Sequence, residues 1–86
     1  MIDLFKIQAL NAFYMGQYDI VIRVCYNPWG NYLNCTITDQ ESGLKMDRTI
    51  DGQYIHGDGT NQINGIILDF LAKRAEVSKD AADQTT

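Results

Sequence analysis

No stretch of this chain stays apolar for the about 20 residues that a bilayer crossing takes. The opening Met1-Ile2-Asp3-Leu4-Phe5-Lys6 has no basic stretch followed by an apolar core. The expectations are a cytosolic protein with no membrane partner. The Asn34-Cys35-Thr36 sequon is then idle, because glycosylation requires secretion. Positive charge is scarce as well: 7 Lys and Arg stand against 11 Asp and Glu, for a formal net charge of −4. Direct readers of nucleic acid gather Lys and Arg on one face to displace phosphate counterions, so direct binding to DNA or RNA is disfavoured. An acidic chain that touches nucleic-acid machinery is better suited to the basic groove of a protein, where opposite potentials speed encounter and favour docking.

Residues that carry chemistry are thin, with 1 histidine and 2 cysteines. His56 with Asp51 and Asp58 is the one candidate metal cluster. It lacks the ligand count and spacing of a zinc or EF-hand site and reads as a solvated turn. Gly57-Asp58-Gly59-Thr60 precedes a helical pattern, as a phosphate-binding loop does. It lacks the glycine spacing of a dinucleotide loop and the Lys-Ser/Thr of a P-loop, and Asp58 would repel phosphate; a flexible connector is the better reading. Catalysis through Cys25 would need a positioned base that the sequence does not show. The reading is therefore no enzyme and no cofactor, with His56 and its neighbouring carboxylates the only footing for the opposite view.

What is present is an ordinary globular mixture, 45% hydrophobic and 21% charged over 86 residues, enough for one modest core. A single domain is expected over residues 1–77. The stretch 78–86, almost without apolar residues, is expected to be a disordered tail. Neither an internal repeat nor an interdomain linker is visible.

Along residues 2–15, Ile2, Phe5, Ala9, Ala12 and Phe13 recur at helical spacing, and Gly16 follows as a natural stop. Leu4, Ile7, Leu10 and Tyr14 widen the apolar surface beyond one stripe, so this helix is either sandwiched or exposes a sticky flank. A short initial strand is the alternative. From Asp19 to Tyr26 the period changes to two, with Ile20, Ile22, Val24 and Tyr26 in phase. Asn27-Pro28-Trp29-Gly30 supplies a turn, and Tyr32 to Asp39 resumes the alternation with Leu33, Cys35 and Ile37. Taking those four residues as the loop sets Tyr26 opposite Asn31, Val24 opposite Leu33, Ile22 opposite Cys35, Ile20 opposite Ile37 and Cys25 opposite Tyr32. The apolar sets match, and the two cysteines fall on opposite faces and should not pair.

A second turn, Gln40-Glu41-Ser42-Gly43, leads to a third strand over Leu44–Ile50, where Arg48 shares the buried phase with Leu44, Met46 and Ile50. Arg48 reads as a strand-end residue whose stem packs and whose head reaches water, or as a partner of Asp51 or Asp19. Gln53–His56 is a candidate fourth strand. Thr60 or Asn61 caps a last helix carrying Ile63, Ile66, Ile67, Phe70, Arg74 and Val77 on one face, with Gly65 inside it hinting at close packing on the sheet. The fold class is α+β: N-terminal helix, antiparallel meander of three strands with a fourth in question, and a C-terminal helix on one face.

In such a meander the Asn27–Gly30 tip and the Asp51-Gly52 exit lie at the same end of the sheet. Tyr26, Asn27, Trp29, Tyr32, Asp51, Tyr54, His56 and Asp58 are the candidate partner-binding residues there. Tyr and Trp most often carry interface energy, and loops on a rigid sheet commonly carry binding. Trp29 is either an exposed anchor or a cap folded back on the core edge.

A small acidic domain built as helix, meander and helix, with aromatic loops, is similar in layout to phage-encoded inhibitors. It resembles some anti-CRISPR proteins and the phage inhibitor of the host dGTP triphosphohydrolase. The resemblance is one of size, charge and topology over about residues 2–77, and no family residue is carried over. What it implies is blockade of a host or defence enzyme. The alternative is a homo-oligomeric structural protein, with the first helix making a homodimer.

Overall fold

The computed structural model describes the backbone of residues 2–84 and the side chains of residues 2–77; the expected disordered tail, 78–86, lies outside the residues described in full. Helix α1 spans Leu4–Gln17, strands β1 Ile20–Asn27, β2 Tyr32–Asp39 and β3 Lys45–Asp51 follow, and α2 begins at Thr60 and runs to Gln84. The strands form an antiparallel meander in the order β1-β2-β3. Gln53–His56 adds no fourth strand: Gly52–Tyr54 closes into a 3-10 turn held by the Asp51 carboxylate, which accepts from the Gln53 amide at 3.1 Å.

The period-two pattern of β1 and β2 sorts their side chains onto two faces. The inner face runs in rows across the sheet, Ile22–Ile37–Met46, Val24–Cys35–Arg48 and Tyr26–Leu33–Ile50. This register differs from the expected one by two residues. Asn27 pairs with Tyr32, so the loop is Pro28–Asn31, and Ile22 meets Ile37 instead of Cys35, while Cys25 meets Asn34 instead of Tyr32. Asn31 makes the difference. It takes the left-handed conformation, φ 50°, which Asn tolerates better than most residues, and thereby turns the chain one position later. Because the shift is even, every side chain keeps its face.

Both helices cover that one face, α1 against β1 and α2 against β2. Ile7 of α1, Ile63, Ile67 and Phe70 of α2, and Leu33, Cys35 and Ile37 of β2 are wholly or almost wholly buried. The helices are joined where the Tyr14 hydroxyl donates to Asn64 Oδ1 at 2.6 Å. Helix α1 also tends the edge of β1, since the outward Ile22 amide donates to Met15 Sδ at 3.4 Å. Two expectations change, and a third is narrowed to one of its alternatives. Helix α1 runs through Gly16 and ends at Gln17, because Tyr18 caps it in an extended conformation with its amide on the Tyr14 carbonyl. Gly65 faces open space, with nothing within 4 Å of where a Cβ would stand, so close packing does not explain it. Arg48 is exposed, as the head-in-water alternative has it, and pairs with neither Asp51 nor Asp19: the ion pairs among the described residues are Lys6–Asp58 and Arg74–Asp39.

At the far end of the core, Asp39 is buried and is held by the turn it closes. Its Oδ2 accepts from the Ser42 amide at 3.1 Å and the Ser42 hydroxyl at 2.5 Å, and Arg74 Nε stands 3.6 Å from Oδ1. The Arg74 guanidinium also lies over the Tyr18 ring, 5.6 Å from its centroid, which links α2 to the α1–β1 corner.

Two outcomes follow from this packing. Phe70→Ala should lower unfolding free energy by about 3–5 kcal/mol in urea melts, a large share of the stability of a domain this size. The hydrogen bond from the Ser42 hydroxyl, aided by the Ser42 amide and Arg74, holds the Asp39 carboxyl below the usual carboxylate range. Folding therefore favours the ionised form. That stabilisation is complete above pH about 4 and is lost as pH falls through the lowered folded value. Asp39→Asn should flatten the acid limb of a stability–pH curve, leaving the part due to Asp58, whose carboxyl is lowered in the same direction.

Candidate functional site

The β1–β2 loop is held by its own residues. Asn27 Oδ1 accepts from the amides of Trp29 at 2.9 Å and Gly30 at 3.1 Å, an Asx turn, while its Nδ2 donates to the Tyr32 hydroxyl at 3.1 Å. Pro28 follows Asn27 where a fixed φ suits the turn. The Tyr26 hydroxyl donates to Asn31 Oδ1 at 3.0 Å, and the Asn31 carbonyl accepts from the Gly52 amide at 2.7 Å, which pins the loop to the exit of β3. Gly30 is needed here for close approach: a Cβ would stand 2.5 Å from the Tyr32 ring.

The product is a tied loop presenting an indole to solvent. Trp29 is 96% exposed, so it does not fold back to cap the core. Beneath it, Cys25, Asn27, Pro28, Tyr32, Asn34 and Thr49 line an open hollow on the outer sheet face, with Tyr26 at its rim. The row Asn27–Tyr32–Asp51 crosses the sheet at this end. Farther along, Asn34 Nδ2 donates to Asp47 Oδ1 at 2.8 Å and Thr49 Oγ1 at 3.2 Å, fixing the floor.

The structure thus brings Tyr26, Asn27, Trp29 and Tyr32 together, with Asp51 beside them, and sets the other candidates apart. Tyr54 is exposed but lines a separate hollow between β3 and α2, with Arg48, Ile50, Gln62 and Ile66; Thr49 borders both hollows. His56 is exposed, its carbonyl accepting from the Gly59 amide at 3.3 Å. Asp58 is a structural residue. Its Oδ1 accepts from the Thr60 amide at 3.0 Å and hydroxyl at 2.6 Å, and its Oδ2 pairs with Lys6 Nζ at 3.5 Å. The bond from the Thr60 hydroxyl is the main reason its carboxyl lies below the usual range. Gly59, whose carbonyl accepts from the Ile63 amide at 3.2 Å, opens α2 in place of Thr60 or Asn61, with Asp58 just before it satisfying the Thr60 amide and, through Lys6, linking the two helix beginnings.

Reactive groups are few. Burial, with Asp47 adding, pushes the Cys35 thiol up to about 11, so its thiolate is suppressed at neutral pH. Cys25 is exposed on the opposite face, and both cysteines are free. Among the described residues no group of three or more His, Cys, Asp or Glu stands close enough to hold a metal. The arrangement around Trp29 offers an aromatic anchor, two tyrosines and several amides, a set fitted to recognition by burial and hydrogen bonding.

Of the two alternatives for α1, sandwiched or with a sticky flank, the structure shows the second: the Phe5 and Phe13 rings are 86% and 62% exposed. One feature was missing from the sequence reading. Asn11 is buried in α1 with its Oδ1 unpartnered; its signal was a polar residue four positions after Ile7, in phase with the inward set. No protein-family model, curated protein or solved structure matches this chain.

Because nothing in the fold rests on the indole, Trp29→Ala should change stability by no more than about 0.5 kcal/mol. Trp29 is the chain's one tryptophan, so acrylamide should quench the protein's indole emission nearly as well as that of free tryptophan; a strongly protected indole would refute the exposed geometry. Asn27→Ala, which releases the loop amides, should cost about 1 kcal/mol in the same melts.

Proposed function

We propose that this chain is a small acidic protein–protein interaction module that blocks a host or defence enzyme, docking through the tip of the β1–β2 hairpin. The observation that carries the reading is Trp29: a large apolar ring, 96% exposed, on a loop held by hydrogen bonds. Water contact with such a ring is unfavourable, and its pre-ordered setting lowers the entropic cost of burying it in a partner. Tyr32 and the Asn27 amide stand beside it, and Asp51 gives the rim a negative charge.

The charge of the whole chain supports a partner surface that is basic, such as an enzyme's nucleic-acid groove. A body carrying −4 is drawn to such a groove and, once seated, excludes the polyanionic substrate that the groove serves. On this reading the chain supplies no catalytic group of its own, needs no cofactor and has no direct contact with nucleic acid. Its layout resembles that of phage-encoded inhibitors such as anti-CRISPR proteins, and inhibition by occupancy is the action that such a body can perform.

The test uses the intact chain as bait in a host lysate, followed by assay of the retained enzyme against increasing amounts of the chain. The retained enzyme should lose activity stoichiometrically, and binding should weaken as salt rises. Trp29→Ala with Tyr32→Ala should weaken binding by about 30-fold or more, the scale of a hot-spot loss. Equal retention by the double variant would remove the hairpin tip from the interface, and an enzyme bound without loss of activity would sink the inhibitor reading.

A further inference from the structure

Helix α1 is apolar on both sides. Ile7, Leu10 and Tyr14 face the sheet and α2, while Phe5, Ala9, Ala12, Phe13 and Gly16 form the opposite face and are exposed. A surface helix normally puts charge on that side, and a helix apolar all round is normally buried. Phe5 and Phe13 are 86% and 62% exposed, which at about 200 Å² per ring leaves about 300 Å² of aromatic surface in water on this one helix. Nothing in the fold requires it.

We propose that this face is the seat of a second copy of the same chain, the two α1 helices packing antiparallel about a two-fold axis. The pattern of sizes selects that occupant. Reversing the helix about a point between Ala9 and Ala12 lays Phe5 of one copy over Gly16 of the other, Ala9 over Ala12, and Phe13 over the Gln8–Ala9 step. Phe5 then meets a small residue and Ala9 meets Ala12, and the two-fold repeats each of these contacts on the other copy, as an isologous contact demands. Gly16 is exposed, with nothing within 4 Å of where a side chain would stand, so no group of the same chain blocks the approach of Phe5. Small residues at the centre let the backbones approach, and antiparallel helices oppose their dipoles favourably.

Charge points the same way. Two bodies at −4 repel, yet no Asp or Glu lies between Asp3 and Asp19, which makes α1 the element where copies meet with least repulsion. A membrane is the poorer occupant: interfacial helices carry several Lys or Arg beside the apolar face, whereas α1 has Lys6 alone, and Lys6 is engaged with Asp58. With Ala9, Ala12 and Gly16 between the rings, two such faces would bury about 800 Å² in total, below the standard size of a stable interface, so the dimer is a weak one.

Sedimentation velocity of the full chain from low to high micromolar concentration tests this. The weight-average mass should rise from 9.7 kDa towards twice that value, and Trp29→Ala should behave as the wild type does. Phe5→Lys with Phe13→Lys should raise the dissociation constant at least 10-fold with an unchanged circular dichroism spectrum, since both rings are exposed. Ala12→Phe, which fills the central seat without adding charge, should weaken association as well. A wild type that stays monomeric throughout overturns the proposal, as does a dimer unmoved by the double lysine variant or abolished by Trp29→Ala. A monomer that floats with phosphatidylcholine vesicles overturns it in favour of a lipid surface.

Discussion

A three-stranded sheet with one apolar face cannot stand alone in water, and covering that face is the constraint on which the rest of this molecule depends. Ile20, Ile22, Leu33, Cys35, Ile37 and Met46 lose their water only because Ile7 from one helix and Ile63, Ile67 and Phe70 from the other lie over them. The chain meets the demand economically, placing one helix before the sheet and one after it, on the same side. The staple at their beginnings, Lys6–Asp58–Thr60, and the Tyr14–Asn64 bond between them keep the pair side by side over β1 and β2. The opposite face of the sheet, with Arg23, Asn34, Thr36, Asp47 and Thr49, is polar and stays in water.

This division leaves apolar surface unspent, most of all on Trp29 and Phe5, in places that the core does not need. One is the indole at the hairpin tip, held outward by the Asn27 side chain. Another is the outer side of α1, where phenylalanines take positions that charged residues usually occupy. In a monomer neither contributes to stability, and each is a cost in solubility that an interaction would remove. The two lie on different elements, so a chain joined to a copy of itself through α1 retains its tips for a partner, one on each copy, and gains avidity if the partner offers two sites.

Much of the architecture was legible because period alone distinguishes strand from helix. β2 falls where its alternation placed it, and β1 and β3 within a residue. The face each strand residue takes was legible too, even though the register was not. A loop closing at Asn31 instead of Gly30 moves every pairing by two, and two is the period of a strand. The candidate site was legible in part. Trp29 and Tyr32 adjoin because they flank one turn, whereas Tyr54 was led away by the 3-10 turn after Asp51, and Asp58 was taken by the amide of Thr60. In each of those cases a local hydrogen bond, available to any Asp or Asn in such a sequence, decided the outcome.

The sequence by itself determined the fold class, the inward phase of the strands, the net negative charge and the scarcity of reactive groups, since these follow from composition and spacing. Only the tertiary structure decided which side of α1 is inside. Both sides are apolar, and the helix is rotated so that Ile7, Leu10 and Tyr14 meet β1 and α2, with Asn11 carried into the interior and Phe5 and Phe13 left out. Periodicity measures how apolar residues are spaced around a helix and is blind to where the sheet lies. The rotation is fixed by the partners that Met15 and Tyr14 find, across the edge of β1 and on α2.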